Sequence, residues 1–161
     1  MPIGDIPDAL KAVRTRPLFV MRLDVKPLQI IGGTPSGFRR VGVVPGGVFE
    51  GDRLRGDILD GGNDWQSLDQ AGAASLDVRL VLKTDDGVAI GMKYTGVRAG
   101  PEDVLKRIDR GEDVDPASYY FRITARFETA GQGYLWLNHI VAVGIGHRRA
   151  DGPVYNLFEV L

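Results

Sequence analysis

Apolar and polar residues alternate through most of this chain, and the period is two. In Ser75–Thr84, "SLDVRLVLKT", Leu76, Val78, Leu80 and Leu82 share one face, and Asp77, Arg79, Val81 and Lys83 share the other. In "YYFRITARFET" the apolar face is Tyr119, Phe121, Ile123, Ala125 and Phe127, against Tyr120, Arg122, Thr124, Arg126 and Glu128. Similar short runs recur from Pro17 onward: "LFVMRLDV", "GFRRVGVV", "GVFEGDRLRGDIL", "VAIGMKYTGVR", "YLWLNHIVAVGIGH" and "VYNLFEVL". With the two above they predict eight strands, separated by Gly, Pro and Asp. The turns "TDDG" and "ADG" are short enough to join antiparallel neighbours. Many strands and few helices imply a closed barrel or a sandwich, since closure removes the exposed edges of a large sheet.

Helical spacing is confined to two places. "PEDVLKRIDRG", Pro101 to Gly111, begins with Pro, carries acids in its first turn, spaces Val104, Leu105 and Ile108 along one face and stops at Gly. A shorter helix is predicted over Pro7 to Val13, within an N-terminal extension, residues 1–16, that precedes a single domain over residues 17–161. "LDGGNDWQ", Leu59 to Gln66, reads as a loop in which Gly61 and Gly62 allow a sharp turn and Trp65 stands at the tip. "GGTPSG", Gly32 to Gly37, lacks a P-loop lysine and reads as a bent loop.

Composition narrows the chemistry. Lys and Arg number 20 and Asp and Glu 21, interspersed, which argues against nucleic acid or an anionic membrane as partner. No apolar run has the length of a signal peptide or a membrane span, and the expected location is the cytoplasm. Without cysteine there is no thiolate catalysis and no common zinc site. His139 and His147 stand roughly 26 Å apart if both lie on one strand, so no metal and no cofactor are expected. The acidic residues from Asp57 to Asp64 do not match a calcium loop, and no serine has nucleophile-elbow context.

The polar strand faces admit two readings. In one they meet water and hold ordinary cross-strand ion pairs. In the other they line the lumen of a wide barrel, whose outer face a helix or a second copy in a homo-oligomer would cover, so that Tyr120, Arg122 and Glu128 converge on a ligand. On the second reading Trp136 and Asn138 of "YLWLNH" form a pocket wall, and Arg122 grips a carboxylate or carbonyl oxygen.

Taken together, "GFRRVG", "GGVFEGDRLRGDILDGGNDWQ", "LDVRLVLKTDDG", "YYFRITARFET" and "YLWLN" resemble domain-of-unknown-function family 3237, a group of small bacterial and fungal proteins, over roughly Pro17 to Leu161. The resemblance implies an all-β fold with one or two short helices, an antiparallel β-barrel of lipocalin-like or allene-oxide-cyclase-like form. Carried over residue by residue, it implicates Gly62, Asp64, Trp65, Asp77, Arg79, Tyr120, Arg122, Glu128, Trp136 and Asn138. One departure is visible, because the family's Asp-Gly-Thr after the Asp-Trp segment is here "DQAGAAS", Asp69 to Ser75.

Carboxylates, arginines and tyrosines near aromatic walls suit general acid and base work on a small molecule. The expectation is a cofactor-independent lyase, isomerase or hydrolase with Asp64, Glu128 and Arg122 catalytic, and Trp65, Asp77, Arg79, Tyr120, Trp136 and Asn138 binding substrate. Trp65 beside Asp64 would strip water from the carboxylate and raise its pKa. A non-catalytic carrier of a small aromatic or carbonyl ligand is the alternative.

Overall fold

The computed structural model describes residues 2–161. Eleven strands are present: β1 (Thr15–Asp24), β2 (Gln29–Thr34), β3 (Gly37–Val44), β4 (Gly46–Glu50), β5 (Arg55–Ile58), β6 (Gly62–Leu68), β7 (Ala74–Thr84), β8 (Ala89–Ala99), β9 (Tyr120–Thr129), β10 (Ala142–Arg149) and β11 (Gly152–Val160). They form one sheet in the order β2-β3-β6-β7-β5-β4-β1-β11-β10-β9-β8, and a further pairing of β7 with β8 closes it.

The first six strands are three long staves, each bent once. β1 pairs with β4 while β2 pairs with β3, and β5 and β6 pair with successive parts of β7. Pro27, Pro45 and the Asp60–Gly61 turn mark the breaks, since proline cannot donate to a ladder and Gly61 has φ +107°. The result is a closed eight-stave antiparallel barrel in which each stave neighbours the next along the chain and β11 returns to β1.

An eight-stranded barrel is just wide enough for its inward side chains to fill. Apolar faces therefore point inward: Leu76, Val78, Leu80 and Leu82 from β7, Phe121, Ile123, Ala125 and Phe127 from β9, and Phe19, Met21 and Leu23 from β1 are all buried. Phe19 meets Phe49 and Phe127 with ring centroids 5.4 and 6.0 Å apart. On β10 the inward positions include Gly146, where a Cβ would stand 2.5 Å from the Phe121 ring. Of the two readings of the polar faces, the solvated one holds and the one that lines the lumen is overturned. With both amphipathic strands turned apolar side inward, Asp77, Arg79, Tyr120, Arg122 and Glu128 are exposed on the outer wall.

Each end is closed differently. Between β8 and β9, α1 (Glu102–Asp109) folds over the upper end and buries Val104, Leu105 and Ile108, the residues whose spacing predicted it. Between β9 and β10 the chain forms a 3-10 helix, Gln132–His139, over the lower end. A strand was expected there. Asn138 explains the difference: its side-chain amide accepts from Thr129 N at 2.9 Å and donates to Thr129 O at 3.0 Å and Leu135 O at 3.2 Å, folding the segment back while Leu137 plugs the core.

Trp136 lies under the Arg53 guanidinium, 4.2 Å from its ring centroid, and Arg53 and Arg16 both bond the buried Glu159 carboxylate at 2.6 and 2.8 Å. Trp136 and Asn138 thus fasten a plug at the lower end, where Asn138 lies beside an outer depression that Glu128 also lines. Asn138→Ala is expected to lower unfolding stability by about 1–2 kcal/mol by stranding the Thr129 backbone groups, measurable by urea denaturation. Among the described residues no helix is long and apolar enough to cross a membrane. The N-terminal segment forms 3-10 turns at Ile3–Asp5 and Asp8–Leu10 in place of one short helix.

Candidate functional site in the upper barrel

The upper half of the lumen is polar. Inward positions carry Arg40 from β3, Asp64 and Gln66 from β6, Tyr94 and Arg98 from β8, Arg148 from β10 and Tyr155 from β11. Period two places Arg40, Tyr94, Arg98, Arg148 and Tyr155 on the same face as apolar residues of their strands, and Asp64 and Gln66 on the face of Gly62. They surround a cavity of about 70 Å³, room for a few waters or the head of a small ligand. Gly42 is paired with Asp64 and keeps space open above it. Leu28 and Asp109, both exposed, lie at the rim, with Asp109 contributed by α1.

Asp64 is the centre of this arrangement. Gln66 donates to its Oδ2 at 2.6 Å, and Gln66 in turn accepts from Arg40 Nε at 2.8 Å. Its other oxygen, Oδ1, is fully enclosed and has no hydrogen-bond partner. A buried polar atom without a partner is uncommon and calls for an explanation. Burial raises the Asp64 pKa to about 6, opposed by the Gln66 hydrogen bond and by the charges of Arg98, Arg40 and Arg148.

Two phenols stand in the same cavity. Tyr94 OH donates to Tyr155 OH at 3.4 Å, their rings are 5.4 Å apart, and Phe121 packs edge-on against Tyr155. Burial raises both phenol pKa values, and the Asp64 charge raises them further, so both remain protonated at neutral pH. Arg98, only 5% exposed, lies 5.5 Å from the Phe121 centroid, and Arg40 Nη2 reaches Asp109 at 3.2 Å.

Of the residues singled out in the sequence, the cavity holds Asp64 alone. The "GGNDWQ" segment is not a loop tip, because Gly62–Leu68 is strand β6. Alternation along β6 then sends Asp64 inward and Trp65 outward, where it is 45% exposed, so desolvation of Asp64 comes from the barrel interior and not from Trp65. Trp65 and Asp77 pair across strands on the outside, with Arg39, Asn63 and Arg79 beside them. Arg122 lies over the ring of Tyr120, itself 56% exposed, on a separate outer face, and Glu128 is on the outer wall toward the lower end. Glu128 and Arg122 therefore do not meet Asp64.

Arg40, Gln66, Tyr94, Arg98, Arg148 and Tyr155 were missed. The available signal was a polar residue ending an otherwise apolar face, as in Ile90, Met92, Tyr94, Gly96 and Arg98 of β8.

Comparison with known proteins agrees with this architecture. The family model described as "Protein of unknown function (DUF3237)" matches residues 13–160. A UPF0311 protein of Rhodopseudomonas palustris is 32% identical over 149 residues, 92% of this chain and 97% of that protein. A crystal structure of a protein of unknown function from the same organism, 32% identical, superimposes with TM-score 0.90 over 93% of this chain and 99% of that one. A β-barrel-like protein from Acinetobacter baumannii is 38% identical with TM-score 0.84, covering 96% and 100%. An enzyme from Penicillium herquei shares the fold at 17% identity, TM-score 0.73, over 97% and 100%. With the family model spanning almost the whole barrel and bacterial relatives matching it end to end, the chain belongs to the DUF3237 family.

Proposed function

We propose that this protein is a cofactor-independent enzyme that moves a proton on a small molecule held in the upper cavity, as a lyase, isomerase or hydrolase does. The observation that carries the proposal is the enclosed, unpartnered Oδ1 of Asp64, facing a cavity beside two neutral phenols and a buried guanidinium. A carboxyl with a pKa near 6 is populated in both forms close to neutral pH, the condition under which one group takes and returns a proton efficiently.

In the reaction, Oδ1 takes a proton from a carbon or hydroxyl of the substrate, and the electron pair left behind moves toward a substrate carbonyl oxygen. Tyr155 accepts from Tyr94 and keeps its own proton for that developing oxyanion, while Arg98 offsets the charge. Returning the proton at another atom completes an isomerisation, and departure of a leaving group completes an elimination. Tyr155 and Arg98 thus take the roles that the sequence pattern gave to Glu128 and Arg122. That a protein of the same fold in Penicillium herquei is an enzyme supports the reading.

Native mass spectrometry of the purified protein, followed by incubation with whatever copurifies, tests it. Chemical conversion of that compound is expected, and Asp64→Asn is expected to slow it by ~10²-fold or more, the scale for a lost general acid or base. A ligand returned unchanged would make the protein a carrier.

A further inference from the structure

The upper cavity holds more positive charge than the protein itself neutralises. Arg40 is engaged by Gln66 and Asp109. The Arg98 guanidinium has no hydrogen bond and no ion pair with any described residue, although the residue is 5% exposed and lines the cavity. Arg148, half-buried beside it, bonds through Nη1 to the Arg149 carbonyl and has no carboxylate partner among the described residues. An arginine stays charged at any pH a protein meets, so this charge cannot be shed by losing a proton. A buried charge without a partner is costly, and a fork of N–H donors facing a cavity fits a planar pair of oxygens.

We propose that the cavity selects small organic carboxylates, with the carboxylate of the ligand against Arg98 and Arg148 and its neighbouring carbon toward Asp64. This rests on the proton-transfer reading for Asp64 and adds the class of substrate. The cavity volume of about 70 Å³ admits the head of such an acid, and the exposed rim at Leu28 and Asp109 leaves the rest of a larger molecule outside. Binding charge at Arg98 and Arg148 also sets a second carboxylate beside Asp64, which favours the protonated form of Asp64.

The test is titration with acetate and with acetamide, at constant ionic strength, followed by melting temperature and by calorimetry. Acetate is expected to stabilise the protein saturably and to be taken up together with a proton near pH 7, whereas acetamide, of nearly the same shape, is expected to have no effect. Arg98→Met is expected to weaken acetate at least tenfold, and Arg122→Met, on the outer wall, to leave it unchanged. Should Arg98→Met not fold, Arg98→Lys serves, since it keeps the charge without the fork and is also expected to weaken acetate at least tenfold. Equal binding of acetamide, or acetate binding indifferent to Arg98, overturns the proposal. The two readings fail separately. Asp64→Asn is expected to slow turnover by ~10²-fold or more yet retain acetate, and an Asp64 that titrates in the ordinary carboxyl range would end the proton-transfer reading while leaving the carboxylate site standing.

Discussion

Between pH 4 and pH 7 the unaltered protein is expected to lose roughly 2.4 kcal/mol of unfolding free energy relative to Asp64→Asn. The cause is the shift of the Asp64 pKa from 3.8 in the unfolded chain to about 6 in the fold. Below pH 3.8 the group is protonated in both states and contributes no difference. Through the window up to about 6 the unfolded chain releases its proton while the folded one retains it, so stability falls as pH rises, and above that window the loss is complete.

The surroundings set this sign. Tyr94 and Tyr155 share the cavity with Asp64 as neutral groups, and the Gln66 bond with the charges of Arg98, Arg40 and Arg148 reduces the effect of burial without reversing it. Carboxylates with lowered pKa values, such as Glu159 held by Arg16 and Arg53, act in the opposite direction in both proteins and cancel in the comparison. Asparagine can keep its carbonyl toward Gln66 and turn its NH₂ to the place of Oδ1, so the variant is expected to fold. Urea denaturation of both proteins across this range measures the difference. A constant difference would show that Asp64 is solvated and ionises as in a peptide.

Gly152→Ala is expected to destabilise the barrel by about 3 kcal/mol or more, through overpacking and backbone strain together. Gly152 opens β11 with φ +133°, and a Cβ there would stand 2.0 Å from the carbonyl oxygen of Leu23. The obstacle is backbone in the neighbouring stave, so a rotamer change cannot relieve it. Asp151→Ala, one residue earlier in an exposed turn, is the control and is expected to change stability by about 0.5 kcal/mol or less. Equal midpoints for the two variants would mean that β11 and β1 are not held as closely as described.

Period two was sufficient to find the barrel, because β7, β8, β9 and β11 alternate cleanly and α1 carries its own start and stop signals. It failed at β2, where Ile30 and Ile31 are both exposed and a bulge interrupts the register, so no apolar face exists to be read. It failed also at Gln132–His139, where one side-chain amide decides the backbone path. The site was legible only through Asp64. Polar residues on polar faces drew attention to Arg122 and Glu128, whereas the cavity is built from polar residues on apolar faces, and only knowledge of which face is inside distinguishes them. Tyr155 and Arg98 looked like ordinary members of core strands until the barrel closed around them.

The connection of each stave to the next also dictates the order of assembly. Every pairing except one joins staves that follow each other along the chain. The exception is β1 with β11, where Thr15 meets Val160 and Arg22 meets Val154, contacts that require almost the whole chain to be looped back. Closure of this seam is therefore expected to be the slow step of folding, and substitutions along it are expected to change the folding rate more than those in the β7–β8 hairpin. Until the seam is shut the barrel interior is open to water, so the burial that raises the Asp64 pKa is incomplete. The protonation of one carboxyl is thus expected to report, during refolding, when the first and last strands meet.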